Sequence, residues 1–331
     1  MKEYLVIDFG GTLAKYSVMT DEAQVLMSGE AEAPLHVREA FLDFIAELYR
    51  KVSADHDIQG VAISMPGVIE EERGYVRTAG AYLALYGMDL AAEMKKRIPV
   101  PVTAENDGKC GALAEVWHGN LSECKDGVVV ILGTGVAGGM IKDRRLHKGK
   151  DLYAGEFSFI LMDEDDLTLT GSCMWKCAVS VLLLDAAQAL GIDVHKLANY
   201  ALLSNFVKVE DRQLSALNDD PRFAAEFTGY SFFQLLDEGN PIAAQVYERY
   251  TRNLARLCWN LKALYAPEKI LFGGGITRQP RLIRDINAQF DKIEAGFNGL
   301  MKFPGEIALC KYGNEANQYG ALYHHLTVTG K

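Results

Sequence analysis

Four short segments carry residue types that could handle a phosphate or a hydroxyl. The run Asp8-Phe9-Gly10-Gly11-Thr12 follows an apolar stretch, residues 4–7. Adjacent glycines let the backbone come close to an oxyanion and offer it N–H groups. Thr12 adds a hydroxyl donor, and Asp8 can hold a Mg²⁺-bound water. A plain hairpin with Gly-Gly at its turn has the same letters. Gly133-Thr134-Gly135-Val136-Ala137-Gly138 repeats the theme and matches G-x-G-x-x-G. That dinucleotide fingerprint must open a helix. Here residues 138–141 run on as a strand into a polar turn, and no G-x-x-x-x-G-K-[ST] occurs, so a second phosphate-binding hairpin is expected. Gly273-Gly274-Gly275 follows the apolar run 270–272 and would let a flat ligand lie against backbone, or serve as a flexible strand–helix turn. Glu105-Asn106-Asp107 places an amide beside carboxylates. Asn106 can orient a hydroxyl substrate, and Asp107 can accept its proton as the oxygen attacks phosphorus. Asn and Asp equally suit a helix N-cap.

These segments must be positioned by regular elements. Strands are expected at 4–9 and 13–20, joined as a hairpin. Val37, Phe41, Phe44, Ile45, Leu48 and Val52 recur at helical spacing, which predicts an amphipathic helix over 37–52. A strand at 61–64, a helix at 89–97, a strand at 100–104 and a helix at 108–118 follow. The pattern then restarts with strands at 127–132 and 136–142. "VIDFGGTLAKYSV" and "VVILGTGVAGGMI" share one build, an apolar strand, a Gly/Thr turn and a strand. Helices over 170–190, 241–266 and 280–295 and a strand at 269–272 complete the reading. Two related α/β lobes are expected, with a boundary near 118–127.

Composition narrows the class. A chain of 331 residues suits two lobes, and 49 % hydrophobic with 24 % charged residues is a globular balance. Lys+Arg minus Asp+Glu is 34 − 44, or −10, the wrong sign for a whole-surface nucleic-acid binder. No apolar run nears the roughly 18 residues of a membrane span, and Asp8 interrupts the first one far short of a signal peptide. Six scattered cysteines read as free thiols of a cytoplasmic protein. Cys173 and Cys177 stand four apart, a spacing more typical of a buried helix face than of a four-ligand zinc site.

In combination the segments say more. DFGGT, ENDGKCGALAE, GTGVAGG, GEFSF and GGGI occur in one order over nearly the whole chain, and in this the sequence resembles the ROK sugar kinases of the actin-like ATPase superfamily. The resemblance implies an α/β, two-lobed actin-like ATPase (ribonuclease H-like) fold with a cleft between lobes. Residues 1–118 with a C-terminal helix at about 315–331 would form the smaller lobe, and 119–314 the larger. It implies ATP-dependent phosphorylation of a sugar hydroxyl, the 6-OH of a hexose, N-acetylhexosamine or β-glucoside, by a homodimer with Mg²⁺ as cofactor. Asp8, Gly10, Gly11 and Thr12 fall on the family's first phosphate segment, Gly133, Thr134 and Gly135 on its second, and Gly273, Gly274 and Gly275 on its adenosine segment. Asp107 falls on the catalytic base, Asn106 and Glu156 on sugar-binding positions. The run from Asn314 to Ala316, with Gly320-Ala321, resembles the closing segment whose helix packs on the N-terminal lobe.

The departures are specific. Phe159 stands where many ROK proteins have a zinc-ligating histidine. Of their cysteine motif only Cys173 and Cys177 remain, so no zinc is expected. Lys176 lies near the place of a later sugar-contacting glutamate. Phe159 could stack on a sugar or aglycone, or fill volume left by the zinc loop. The repressors of the family carry a DNA-binding domain ahead of the kinase-like part, and this sequence reaches Asp8 almost at once. A regulatory or sugar-sensing protein without strong kinase activity is the alternative.

Overall fold

The computed structural model describes residues 1–71, 73–204, 214–223 and 226–330. Its first sheet is built on β1 (Glu3–Phe9), β2 (Leu13–Thr20) and β3 (Val25–Glu32), an antiparallel meander. Helix α1 (Arg38–Val52) leads to β4 (Ile58–Met65), parallel to β1. A small hairpin, β5 (Ile69–Glu70) with β6 (Tyr75–Val76), and α2 (Leu90–Lys95) precede β7 (Val102–Asn106), parallel to β4. The strand order is β3-β2-β1-β4-β7. Strand side chains alternate between faces, and β1 uses both. Leu5, Ile7 and Phe9 join the core with Phe41, Leu42 and Ile45 of α1. Tyr4 and Val6 join a second core with Cys110 of α3 (Asp107–His118) and Ala321 and Leu322. A strand buried on both faces must read as a continuous apolar run, as residues 4–7 do.

The second sheet repeats this order. It contains β8 (Gly127–Leu132), β9 (Val136–Lys142), β10 (Arg145–Leu146), β11 (Lys269–Gly273) and β12 (Glu306–Leu309), arranged β10-β9-β8-β11-β12. Between them come α4 (Cys173–Cys177), α5 (Val179–Leu190), α6 (Tyr200–Leu203), α7 (Gly229–Asp237) and α8 (Pro241–Tyr265). Strand β11 (Lys269–Gly273), α9 (Leu282–Gly296), β12 (Glu306–Leu309) and α10 (Ala316–Thr329) close the chain. The chain forms two compact units. One is Met1–Val129 with Gly138–Gly155 and Cys310–Lys331, the other Val130–Ala137 with Glu156–Leu309. This contact-based grouping differs from the division expected of 1–118 with 315–331 against 119–314.

The helix expected over 170–190 is two helices. Ala178 between them is extended (φ −71°, ψ 145°), and the N–H of Val179 donates to the Gly133 carbonyl at 2.9 Å. A long-range bond therefore decides the break, with no proline or glycine to announce it. Strands β3 and β12 and helix α7 are additions to the sequence reading.

Helix α10 packs along α3 at backbone distance. A Cβ on Gly320 would stand 1.7 Å from the Cys110 carbonyl oxygen. On helix propensity alone, Gly320→Ala would stabilise by about 1 kcal/mol. The close approach reverses the sign. Urea unfolding of the variant is expected to show a loss of about 1–3 kcal/mol, the usual cost of an overpacked core, and a gain in stability would contradict this packing.

Candidate active site

In the first unit, Gly10 closes the β1–β2 turn by donating to the Leu13 carbonyl at 3.0 Å. Its own carbonyl accepts the Tyr82 hydroxyl at 2.6 Å. Tyr82 is fully buried against Phe9 and Phe41, ring centroids 5.8 and 5.7 Å away, and burial pushes its phenol up, with the Asp8 charge adding to the effect. The turn thus rests on an aromatic base. Gly11 and Thr12 are exposed, and a Cβ on Gly11 would meet nothing within 4 Å.

Three parallel strands end together beside this turn. Asp8 is in register with Ser64, and Ser64 with Glu105. Oδ1 of Asp8 accepts the Ser64 hydroxyl at 2.7 Å and the Asn317 amide at 3.2 Å. Burial raises the Asp8 pKa, those two bonds oppose the rise, and the charge of Asp107 adds to it. Asn106 caps α3, its Oδ1 accepting the Lys109 N–H at 3.1 Å, and its Nδ2 donates to the Gly67 carbonyl at 2.9 Å. The cap role therefore belongs to Asn106. Asp107, half-buried, bonds the Gly108 N–H at 2.8 Å, where the helix N-terminus favours an anionic carboxylate.

Behind this junction lies a buried polar cluster. Glu105 is wholly buried, and its Oε1 accepts the Asn106 N–H at 2.8 Å. Its Oε2 meets the ammonium of Lys148 and stands 3.8 Å from Nδ1 of His324 on α10. His324 is lowered to about 4 by burial and by the Lys148 charge, with Glu71 opposing. It is neutral at pH 7, so its approach to Glu105 is not an ion pair.

In the second unit, the β8–β9 turn is held from two sides. Ser158 donates to the Val136 carbonyl and accepts its N–H, both at 3.0 Å. Ser180 donates to the Thr134 carbonyl at 2.7 Å. The N-terminus of α5 thus abuts Gly133-Thr134-Gly135, and the segment after Gly135 is strand β9. Gly274 has φ +99°, and a Cβ there would stand 2.1 Å from the Leu132 carbonyl oxygen. The end of β11 can approach β8 this closely only as glycine. A cavity of about 430 Å³ opens between these parts. Gly133, Thr134 and Ser180 line it on the polar side, Leu183, Phe233 and Ile276 on the apolar side. A Cβ on Gly133 or Gly275, both in its lining, would meet nothing within 4 Å. Gly273 ends β11 and is buried.

Glu156 is half-buried and starts the tight turn 157–159, its carbonyl accepting the Phe159 N–H at 3.2 Å. Phe157 is 2 % exposed and Phe159 67 %, so the core-filling phenylalanine is Phe157. Lys176 bonds Asp163 at 2.7 Å and faces a separate cavity of about 410 Å³, where Arg249 and Asp185 also pair. Cys173 and Cys177 are fully buried, with the Cys177 Sγ 3.9 Å from the Met162 Sδ. Among the described residues no three His, Cys, Asp or Glu form a group that could hold a metal. Sequence reasoning missed Ser64, Tyr82, Ser158, Ser180 and Asn317. Ser158, inside GEFSF, and Asn317, between Ala316 and Gly320, sat in segments already singled out; the other three carry no motif.

Two sheets of one strand order, each opening on a hairpin, define the actin-like ATPase fold. The chain belongs to the ROK family, whose profile matches residues 4–327. It is 26 % identical over 319 residues to a beta-glucoside kinase of Listeria innocua, covering 96 % of each chain. It is 27 % identical over 327 residues to an N-acetyl-D-glucosamine kinase of Escherichia coli, covering 98 % of this chain and 99 % of that one. A ROK family protein of Streptococcus pneumoniae, solved with sucrose, shares the fold with a TM-score of 0.79 at 24 % identity over 99 % of both chains. No described helix is long and apolar enough to cross a membrane.

The neutral His324 gives a pH dependence of defined sign. Unfolded, the imidazole takes its proton near the ordinary 6.5; folded, it resists until about 4. The unfolded state binds more protons in that window, so this contribution is complete above pH 6.5 and is lost as pH falls towards 4. The difference corresponds to a loss on the order of 3 kcal/mol. Urea unfolding at pH 7 and pH 4.5 should show a smaller drop for His324→Gln than for the wild type, and equal drops would exclude the buried neutral imidazole.

Proposed function

We propose that this chain is a carbohydrate kinase, transferring the γ-phosphoryl group of Mg-ATP to a sugar hydroxyl, the 6-OH of a hexose, an N-acetylhexosamine or a β-glucoside. Family membership and the named kinases among its relatives support the class. The observation that carries the nucleotide is the cavity of about 430 Å³ beside the β8–β9 turn. Its polar end joins exposed turn backbone to the N-terminus of the 12-residue helix α5, an arrangement that favours phosphate. Its apolar end suits a flat base. Gly273, Gly274 and Gly275 would receive the adenosine, Gly133, Thr134 and Gly135 the phosphates, with Gly10, Gly11 and Thr12 as the second phosphate turn. The open space above Gly11, Gly133 and Gly275 is room a side chain would fill.

Asp8 fits a cation held through water. Both bonds it accepts fall on Oδ1, and burial has raised its pKa, so a nearby positive charge would be favourable. Mg²⁺ arriving with ATP would neutralise phosphate charge. Asp107 would take the proton of the attacking hydroxyl, since the cap is already supplied by Asn106. Asn106 keeps one amide hydrogen beyond its bond to Gly67, and Glu156 offers an acceptor to sugar hydroxyls. Positioning and fixed charges would supply most of the acceleration. The protein would act as a cytoplasmic homodimer.

Asp107→Asn is expected to lower kcat by about 10²–10⁴-fold, the usual cost of a lost general base, while thermal-shift titration still shows ATP binding. A variant with near wild-type kcat would remove Asp107 from the role.

Phe159 gives the substrate its second test. The exposed ring cannot demand a hydroxyl at the anomeric carbon, and a site without that demand has no buried polar group to leave unpaired by an O1 substituent. The expected kcat/KM for a methyl or aryl β-glucoside equals or exceeds that for glucose, and Phe159→Ala narrows the preference. Strict preference for free glucose or N-acetylmannosamine would reject it.

A further inference from the structure

Lys148 lies outside every motif, in the chain that follows β10. It is 7 % exposed, and it pairs with a carboxylate that sees no solvent. The ammonium meets Oε2 of Glu105 as an ion pair rather than along a hydrogen-bond direction, and it also lies 3.4 Å from the Ile69 carbonyl oxygen, to which it donates. The other oxygen of Glu105 accepts the N–H of Asn106 at 2.8 Å. One carboxylate therefore links Lys148 to the last peptide within β7, directly ahead of the start of α3 at Asp107.

That peptide is where the hydroxyl-handling pair is set. The Asn106 side chain bonds Lys109 and Gly67, its backbone is in register with Met65 of β4, and Asp107 bonds the N–H of Gly108. Neutral His324, with Nδ1 3.8 Å from Oε2, offers Glu105 no charge in place of the lysine. The Lys148 backbone also closes its own loop. Its carbonyl accepts the Ala154 N–H at 3.0 Å, closing the loop that arrives two residues later at Glu156.

We propose that Lys148 is a positioning residue for phosphoryl transfer, its ammonium neutralising Glu105 so that Glu105 can hold the Asn106 backbone and, through it, the orientation of Asp107. This rests on reading Asn106 and Asp107 as the hydroxyl-handling pair. Removing one partner of a buried pair leaves the other charge uncompensated, whereas removing both can be nearly neutral. The double variant therefore discriminates. In Lys148→Met/Glu105→Gln no charge is left alone, and the amide oxygen of glutamine can still accept the Asn106 N–H.

The test is steady-state kinetics of the full-length enzyme with Mg-ATP and its best sugar, normalised to folded sites by ATP titration. Lys148→Met is expected to lower kcat by about 10–100-fold, the scale of a misplaced catalytic group, with the KM for ATP nearly unchanged. Lys148→Arg should retain most of kcat, and the double variant should recover most of what Lys148→Met loses. A purely structural role would lower the melting temperature and the yield of folded sites without changing kcat per site. Should Lys148→Met not fold, Glu105→Gln alone strands the lysine and should show the same kcat loss, with recovery in the double variant. A normal kcat in both single variants, or a double variant as slow as the singles, overturns the positioning role. If the wild-type chain transfers no phosphate to any sugar, the proposed activity itself falls, and the positioning role with it.

Discussion

Strands buried on both faces have nowhere along their length to carry chemistry, and this constraint orders the molecule. β1, β4 and β7 run parallel through the first sheet; β1 and β4 are apolar along most of their length, β7 buries Thr103 with His325 as its partner, and the acidic residues Asp8 and Glu105 stand where the strands end. Asp8, Ser64 and Glu105 stand in register at that edge, and Asn106 follows one residue on. β8 and β11 do the same with the Gly133-Thr134-Gly135 turn and Gly273-Gly274-Gly275. Ligand sites of open α/β sheets lie beyond the carboxyl ends of their strands for this reason.

Polar groups gathered at a buried edge cost free energy unless each finds a partner. Those beside the turns are shared economically. Asn106 caps one helix and ties down Gly67 with one amide. Glu115 does similar work in α3, its fully buried carboxylate accepting the N–H groups of Lys311, Tyr312 and Asn120 at 2.8–3.0 Å. That brings the start of the C-terminal segment onto α3, and the contact at Gly320 continues it along α10. From α10 come both Asn317, bonded to Asp8, and His324, beside Glu105. The last helix in the sequence thus completes the edge begun by the first strand.

What was legible in the sequence was whatever local pattern dictates. The two hairpins showed as apolar runs closed by Gly and Thr, the β7–α3 junction as Glu-Asn-Asp before a helical stretch, and the end of β11 as three glycines. What was not legible depends on partners far along the chain. Tyr82 supports Gly10 from 72 residues away. Ser64 is one hydroxyl in an apolar strand, and only the register beside β1 gives it Asp8 to bond. The break at Ala178 is imposed by the Gly133 carbonyl on a residue type that favours helix. Edge strand β3 alternates exposed and partly buried residues with little apolar signal. The grouping of Gly138–Gly155 with the first unit is likewise a property of contacts, not of composition.

The segment Gly155-Glu156-Phe157-Ser158-Phe159 shows how adjacent side chains of one short run divide inward and outward roles. Each side chain after the glycine has a separate task. Phe157 is driven into the core and anchors the turn. Ser158 bonds the Val136 backbone in both directions, which fixes the segment to the β8–β9 hairpin. With those two positions held, Glu156 and Phe159 have little freedom relative to the Gly133–Gly135 turn. An apolar anchor and one serine supply that constraint. Phe159 presents an exposed aromatic ring. Rigidity and exposure are thereby separated: the loop is held by residues that face inward, and what faces outward can change without loosening it.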